Sequence, residues 1–249
     1  MSRYVLGFVR RQFVAEAYEF HRRCAGASGH IWARSLDEFK QLVRKRTVYG
    51  ARNGSGRLVA LCYSRLDKEQ RQFEIGGLFV DAQQREIGIG WALAGMTLAQ
   101  TVALAQPWNP KAGYAGYSIV AHVHDGNGDP VGMLERMGFR YSRKVRTKDA
   151  DAPPDMTRDS EGMVTSDCYE FPQESLPLLG DWFNEMRNMH VHNVEFVFDL
   201  KHGATLDTLQ STLQFRESYS SDETGRASVV APAKPTWHRL VDAILRKLK

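Results

Sequence analysis

The sequence predicts an α/β fold in which strands and helices alternate along most of the chain. Compact runs of β-branched and aromatic residues alternate with stretches whose apolar residues recur at helical spacing. Clusters of glycine, proline and asparagine separate these stretches, as turns do. A hydrophobic content of 43% and a charged content of 25% are typical of a globular protein with a buried core.

The first half of the chain predicts strand, two helices, then three strands. The first strand is predicted at residues 4–9 and the first helix at 14–23. Ser35 and Glu38 are spaced as a capping box at the start of the second helix. Strands at 47–51 and 58–66 flank Asn53-Gly54, a hairpin signal because both residues accept positive φ. A central strand follows at 73–80.

The second half predicts a long helix at 91–106, a loop at 107–116 and a strand at 117–124. Asp129 is expected to cap a short helix that starts at Pro130 and ends at Gly138. A strand at 139–146, an excursion at 148–162 and a last strand at 166–171 follow.

Residues 173–249 are interpreted as a C-terminal extension to a domain of residues 1–172. The extension predicts a helix at 176–189, a strand at 194–200, a helix at 206–215 and a basic amphipathic helix at 234–249. Its aromatic residues are interpreted as its own core. The terminal helix is expected to pack on its own domain or on a second subunit, which permits a homodimer, in preference to the alternative of lying on a membrane surface.

The turn between the central strand and the long helix is the strongest functional signal. Gly88 and Gly90 remove two side chains where a helix begins, so the unpaired N–H groups of its first turn stay open to a ligand. The helix dipole and the charge of Arg85 both favour an anion there. This turn therefore predicts a diphosphate site.

Two common nucleotide motifs do not fit this turn. A dinucleotide-binding fingerprint requires a third glycine, where Leu93 stands, and an acidic residue about 20 positions further on, where residues 108–111 offer none. A P-loop requires Gly-Lys followed by Ser or Thr, which is absent. The pattern that fits is R-x-x-G-x-G over residues 85–90.

This pattern resembles the acyl-CoA pyrophosphate turn of the GNAT superfamily of N-acetyltransferases. Asn127 and the pair Gly138-Phe139 match two further signals of that family, and the resemblance covers about residues 1–172. It implies a twisted mixed sheet with helices on both faces. It also implies transfer of an acyl group, most simply acetyl, from acetyl-CoA or another acyl-CoA to an amine-bearing acceptor.

The resemblance also implies which residues bind the acyl-CoA. Backbone amides near 78–80 would bind pantetheine as an added strand and polarise the thioester carbonyl. Gly76-Gly77 would let two strands splay and admit the acyl group. The expected binding residues are Leu78, Phe79, Val80, Arg85, Glu86, Ile87, Gly88, Ile89, Gly90 and Asn127.

Glu74 is the candidate general base, because it stands at the offset from Arg85 where several GNAT enzymes carry a catalytic glutamate. It is expected to share a face with Gly76, Leu78 and Val80 and to have a raised pKa in a partly apolar cleft. The alternative is an exposed strand carboxylate paired with an arginine, with His124 the next candidate base. In that family, a tyrosine that protonates the departing thiolate often stands at the position of Leu134. Tyr117, Tyr141 or water would have to supply that proton here.

Metal binding is not expected. His122 and His124 lie two apart on a predicted strand, and His190 and His192 are similarly spaced, but no acidic or cysteine residue at fixed spacing completes either pair. The three cysteines, Cys24, Cys62 and Cys168, are widely separated and are expected to be reduced thiols. With no apolar run long enough for a membrane span and no secretion signal, a cytoplasmic protein is expected.

The charge is unevenly distributed. Residues 1–150 hold 23 basic and 13 acidic side chains, whereas residues 151–233 hold 5 and 15. The basic part favours CoA phosphates and the chain's own acidic segment as partners, and it permits nucleic acid. Two alternatives to the N-acyltransferase therefore stay open: an inactive GNAT fold that senses acyl-CoA or binds nucleic acid, and an acyltransferase that acts on nucleic acid.

Overall fold

A computed structural model of the protein describes residues 2–28, 30–105, 116–148, 156, 158–188, 194–200, 206–207, 209–211 and 213. Within this part of the chain, eight strands form one sheet. The strands are β1 (Ser2–Phe8), β2 (Val48–Arg52), β3 (Leu58–Asp67), β4 (Gln72–Val80), β5 (Ser118–His124), β6 (Arg140–Thr147), β7 (Val164–Glu170) and β8 (Val194–Asp199).

The sheet is mixed, and its strand order is β6-β7-β5-β4-β3-β2-β1-β8. Strands β4 and β5 are parallel, as are β1 and β8, whereas the other neighbours are antiparallel. The helices are α1 (Val14–Ser28), α2 (Leu36–Arg44), α3 (Ile89–Leu104), α4 (Val131–Arg136) and α5 (Leu176–Asn188). The predicted α/β fold is therefore confirmed.

Two apolar clusters cover the two faces of the sheet. Helices α1 and α2 pack on one face, where Phe20 and Phe39 join Leu61, Tyr63 and Phe79. The larger cluster contains α3, α4 and α5 together with the opposite side chains of the strands. Helix α3 is apolar almost all round, because α5 covers the side that the sheet leaves free.

Most predicted boundaries agree with the structure, and the capping box is confirmed. The Ser35 hydroxyl accepts a hydrogen bond from the Glu38 amide at 3.2 Å, and the Glu38 carboxylate accepts from the Ser35 amide at 2.9 Å. Helix α1 continues to Ser28, beyond its predicted end at Arg23. The four-residue turn in the first hairpin spans 53–56.

Two local predictions are wrong. The hairpin turn does not place Asn53 and Gly54 at positive φ; Gly56 adopts it instead, at +80°, and its amide donates to the Asn53 carbonyl. The turn is therefore longer than the two-residue hairpin turn that Asn-Gly favours, and its left-handed residue is the last one, Gly56. Asp129 does not cap α4, because Pro130 occupies the cap position without any side-chain hydrogen bond.

The C-terminal segment contributes to the main core. Strand β8 extends the sheet beside β1, and α5 packs on α3. The indole of Trp182 lies so close to Gly95 that a Cβ there would be 2.2 Å from it, and its Nε1 donates to the Trp91 carbonyl at 3.3 Å. The interpretation of these aromatic residues as a separate core is therefore wrong, since Trp182 and Phe183 belong to the larger cluster.

Other predictions for this segment are only partly covered. Residues 206, 207, 209–211 and 213 are helical, as predicted. The helix at 234–249, His190, His192 and most of the excursion at 148–162 lie outside the described residues. The division at residue 172 stays a prediction. None of the described helices is long and apolar enough to cross a bilayer.

Candidate active site

The parallel strands β4 and β5 separate in the middle of the sheet. They pair from Gln72 and Ser118 only as far as Glu74 and Val120, although each strand continues for several residues. Beyond that point, in the described part of the chain, the β5-facing edge of β4 is unpaired. The splay expected from Gly76-Gly77 is therefore confirmed, and it opens the sheet to an extended ligand.

A bulge in β4 lies at the opening. Tyr63 of β3 pairs with Gly76 but Leu61 pairs with Phe79, so β4 holds one extra residue between these two pairs. Gly77 has a φ of +59°, and a Cβ at this position would lie 2.2 Å from the Tyr63 ring. Glycine is thus required here both by the backbone and by the neighbouring ring.

The bulge overturns the expected face of β4. Glu74 and Gly76 share their face with Tyr63, but the extra residue moves Leu78 and Val80 to the opposite face, where they pack on the larger cluster. Phe79 takes the face of Glu74 instead. The prediction that Glu74, Leu78 and Val80 share a face is wrong, because a single inserted residue inverts the alternation.

A cavity of about 1130 Å³ occupies the opening and reaches both faces of the sheet. On one side it is bordered by Leu98 of α3 and Leu134 of α4, and on the other by Phe20 of α1 and Trp32 of the α1–α2 loop. The sheet itself contributes all of 74–80. This volume is at the upper end of the range for pockets that bind small molecules or cofactors.

The loop before α3 forms one end of this cavity, which we call the α3 end (residues 80–90). Its backbone is unusual: Glu86 has a φ of +69° and Gly88, the N-cap of α3, has a φ of +85°. A glutamate in the left-handed region is strained, and such strain clusters at ligand sites. Left-handed residues of this kind also occur in the backbone of anion-binding nests.

The amides at the α3 end are unused. In the described part of the chain, those of Glu86, Ile87 and Gly88 donate to no protein acceptor, and the next two begin α3. The side chain of Arg85 is exposed, borders the cavity and makes one long contact, from Nε to the Val80 carbonyl at 3.5 Å. The loop can therefore receive an anion.

The predicted binding residues are distributed along one side of the cavity. Leu78, Phe79, Val80, Arg85 and Asn127 border it directly. Glu86, Ile87, Gly88 and Gly90 lie just beyond, in the loop and first turn of α3. The side chain of Ile89 is buried in the core, so this residue can contribute only its backbone. Their roles in binding stay predictions.

The other end of the cavity is a cluster of polar side chains beneath the α1–α2 loop, which we call the polar end (Arg34, Tyr63, Arg65, Glu74, His122 and His124). Glu74 is its centre: Oε2 accepts from Arg65 Nε at 2.9 Å and Nη2 at 2.5 Å, and Oε1 lies 3.8 Å from Arg34 Nη2. The side chain of Glu74 is 14% exposed.

The pKa of Glu74 is lowered, so the prediction of a raised pKa is wrong. Burial alone would raise it, but the charges of Arg65 and Arg34 and the neighbouring His122 outweigh burial. The carboxylate is therefore ionised at neutral pH and is a weak proton acceptor. The predicted alternative is right about the arginine partner and wrong about exposure, because the carboxylate pairs with Arg65 but is largely buried. The role of Glu74 in catalysis stays a prediction.

His122 and His124 lie on the Glu74 face of β5 and border the cavity. Burial lowers the pKa of each imidazole, so both rings are neutral at pH 7. His122 Nε2 and His124 Nδ1 are buried, with no hydrogen-bond partner in the described part of the chain. The His124 ring lies 5.8 Å from that of Trp32.

Helix α4 offers no tyrosine as a proton donor at the position considered in the sequence, where Leu134 stands and is buried. Neither of the predicted substitutes, Tyr117 and Tyr141, borders the cavity. Tyr63 does, and burial raises its pKa, so its hydroxyl is protonated at neutral pH. That hydroxyl accepts from Arg34 Nε at 3.3 Å and keeps its own proton to donate.

The described residues contain no group of three His, Cys, Asp or Glu side chains arranged to hold a metal ion. The polar end therefore offers acid–base and ion-pairing groups.

Comparison with known proteins gives the following findings. No protein-family profile matches the sequence, and no curated protein matches it. Among solved structures, the chain is similar to the ribosomal-protein-S18-alanine N-acetyltransferase of Escherichia coli, at 16% identity and a TM-score of 0.47, over 68% of this chain and 93% of that one. It is also similar to a GNAT superfamily phosphinothricin acetyltransferase of Sinorhizobium meliloti in complex with AcCoA, at 13% identity and a TM-score of 0.49, over 66% and 85%.

A third similar structure is an acetyltransferase of Salmonella typhimurium with its cofactor acetyl-CoA, at 12% identity and a TM-score of 0.48, over 68% of this chain and 94% of that one. At these low identities, the function proposed below depends on the geometry of the cleft itself.

Sequence reasoning missed three residues of the polar end: Arg34, Tyr63 and Arg65. They come from the α1–α2 loop and from β3, and no local motif marks them. One signal was available, since alternate residues of β3 share a face and an antiparallel neighbour places Arg65 opposite Glu74. Arg34 lies in a loop and carried no such signal.

Proposed function

We propose that the protein is an acyl-CoA-dependent N-acyltransferase, with acetyl-CoA the expected donor. The observation that carries this proposal is the opening between β4 and β5, whose unpaired β4 edge leads directly to the open amides of the α3 end. A pantetheine arm carries amides that pair with a strand edge, and a diphosphate suits a helix start. The cleft offers both in the order in which CoA presents them.

The Gly77 bulge would hold the thioester. Amides near Leu78 and Phe79 are proposed to donate to the thioester oxygen as negative charge builds on it. The acceptor's nitrogen attacks the carbonyl carbon, a C–N bond forms, and the C–S bond breaks. The sulfur leaves as a thiolate and needs little assistance, because the corresponding thiol has a pKa of about 8.5. Alternatively, the departing sulfur takes a proton from the Tyr63 hydroxyl.

The acceptor amine must lose a proton, and two groups of the polar end compete for it. Glu74 is the residue that the sequence predicts, but its lowered pKa makes it a weak base. His124 is neutral at pH 7 and has an unpartnered ring nitrogen. Since general bases work best with a pKa near the working pH, we propose His124 as the base, acting directly or through water.

The experiment that tests the proposal has two stages. Calorimetric titration with acetyl-CoA should show binding with a Kd in the micromolar range, roughly −8 kcal/mol. Thiol release is then measured with a panel of amines. Absence of acetyl-CoA binding would overturn the proposal, whereas binding without any turnover would favour the inactive sensor, to which Leu134 points.

A further inference from the structure

The guanidinium of Arg34 has unused hydrogen-bonding capacity inside the cavity. Of its five N–H donors, one goes to Tyr63, and Nη2 lies 3.8 Å from Glu74 Oε1, beyond hydrogen-bonding distance. No other acceptor in the described part of the chain bonds this side chain. Its side chain is only 13% exposed and borders the cavity, so the cavity is where an acceptor for these donors can enter.

Arg34 is also held in place. Its backbone amide donates to His21 Nε2 at 3.2 Å, and His21 is fully buried against the rings of Phe39 and Phe79. Its guanidinium carbon lies 5.8 Å from the centre of the Tyr63 ring. Arg34 is thus anchored through its backbone amide to His21 and through its guanidinium to Tyr63. The planar guanidinium is therefore preorganised to bind an oxyanion, because the side chain loses little conformational freedom on binding.

The acidic groups at this end leave donors of Arg34 unoccupied. Glu74 directs both of its hydrogen bonds to Arg65, and Asp67 also approaches Arg65, at 3.9 Å. Glu74 lies 3.8 Å from Arg34, and Glu38 acts on Arg34 only through its charge, so neither carboxylate accepts a hydrogen bond from the guanidinium. Arg34 therefore offers an incoming oxyanion N–H donors that no carboxylate among the described residues occupies.

We propose that the acceptor carries an anionic group, a carboxylate or a phosphate, near its amine, and that Arg34 binds this group. The proposal rests on the N-acyltransferase function above. Arginine matches the geometry of both oxyanions through paired N–H donors. A buried guanidinium with unoccupied donors in the cavity wall selects such a ligand over its neutral analogue, which would leave those donors without an acceptor.

The two groups of the acceptor must be close together. Arg34 lies 3.8 Å from Glu74, and Glu74 and His124 project from the same face of the sheet into one cavity, so a single acceptor can reach Arg34 and His124 together. This favours a short amino acid or aminoalkyl phosphate over an acceptor whose charge is many bonds away.

The test compares acceptors that differ only in the anionic group. Glycine, β-alanine and 4-aminobutanoate are paired with their carboxamides, and O-phosphoethanolamine is paired with ethanolamine. Thiol release from acetyl-CoA is measured, and kcat/KM is expressed per fraction of unprotonated amine. We expect at least one anionic member to exceed its neutral partner by roughly 100-fold, the scale of a lost charge-assisted contact. The pair that shows the preference identifies carboxylate or phosphate.

The variant Arg34→Gln should remove this preference by lowering kcat/KM far more for the anionic acceptor than for its neutral partner, while Arg34→Lys should restore part of it. Arg22→Gln is the matched control, since Arg22 is exposed on α1 and pairs with Glu19 outside the cavity. If Arg34→Gln does not fold, the wild-type preference alone decides.

Two results are distinguishable as failures. Acetyl-CoA that binds and is turned over equally with anionic and neutral amines would overturn this inference and leave the N-acyltransferase standing. Failure of acetyl-CoA to bind at all would overturn the proposed function and this inference with it.

Discussion

The two ends of the cleft are built in different ways. The α3 end consists mainly of backbone: open amides, left-handed residues at Glu86 and Gly88, and one exposed arginine. All of it lies within a single short stretch of the chain. The polar end consists of side chains from the α1–α2 loop, β3, β4 and β5, and only the fold brings them together.

This difference matches the two tasks that the proposal assigns to them. A diphosphate and a pantetheine arm are the same for every acyl-CoA, so a short backbone motif can recognise them. An acceptor differs from one protein to the next, and it is recognised by side chains that vary independently. The first kind of site is visible in a sequence and the second is not.

The largest expected effect comes from the α3 end. Replacing Gly88 and Gly90 together with glutamate should reduce acetyl-CoA binding by at least about 100-fold, or ~2.7 kcal/mol, because two side chains and two negative charges would occupy the anion site. A Cβ at position 90 alone would lie 3.3 Å from Val80 Cγ2. Calorimetry measures the affinity.

Gly180→Glu is the control for a glycine-to-glutamate change away from the site, since it adds one negative charge to α5 where a Cβ meets nothing within 4 Å. The double variant must also remain folded, because Gly88 has positive φ and its replacement costs about 1–2 kcal/mol in strain. Unchanged affinity in a folded double variant would show that the α3 end does not bind the diphosphate.

At the polar end, His124→Gln should lower kcat at pH 7 by roughly 100-fold and leave acetyl-CoA affinity unchanged, the usual scale for a lost general base. Glu74→Gln should lower kcat by less than about tenfold, because a carboxylate with a lowered pKa contributes little as a base. Steady-state rates of both variants, with acetyl-CoA affinities from calorimetry, separate the two roles.

The pH profile sharpens this result. His124 accepts a proton only when neutral, so activity that depends on it should fall as pH drops through its pKa, which burial places below 6.5. That acidic limb should disappear in His124→Gln. The reverse pattern, with the larger loss in Glu74→Gln, would restore Glu74 as the base that the sequence predicts.

The sequence predicted the sheet, its helices and the α3 end because these depend on local signals. The Ser35 capping box, the glycines at 88 and 90 and the apolar runs each act within a few residues. It could not predict the pKa of Glu74, which depends on Arg34 and Arg65 across loop and strand. Nor could it place Leu78 and Val80, since nothing before the structure showed that Gly77 forms a bulge.

The bulge between the two ends gives a prediction about stability. Gly77→Ala should destabilise the protein by about 3 kcal/mol, which combines left-handed strain with a clash against Tyr63, and should lower Tm by roughly 10 °C. Gly76→Ala is the matched control. Its Cβ would meet its nearest neighbours, Glu74 and Tyr63, at 3.5 Å, an ordinary contact.

Denaturant unfolding of the two variants measures the difference directly. Equal stabilities would mean that the bulge tolerates a side chain, and glycine would then not be required for the splay of the sheet.

The smallest expected effect concerns His21, whose ring accepts a hydrogen bond from the Arg34 amide. Burial lowers the pKa of His21 from an ordinary value of 6.5 to about 4, so the folded protein resists protonating it. Its contribution to stability is complete above pH 6.5 and is lost as pH falls, because the unfolded chain then binds a proton that the folded chain does not. Between pH 8 and pH 5 the loss should be about 2 kcal/mol.

The variant His21→Gln should reduce this pH dependence by about that amount, because glutamine does not titrate and its amide oxygen can still accept from the Arg34 N–H. The other buried histidines contribute equally to both proteins and cancel in the comparison. The local readout is hydrogen exchange at the Arg34 amide. Its protection relative to the α3 core should decrease on acidification in the wild type, because protonated Nε2 cannot accept a hydrogen bond. Parallel stability curves for the two proteins would mean that burial does not lower the pKa of His21, and unchanged exchange at the Arg34 amide would mean that His21 does not hold Arg34 in place.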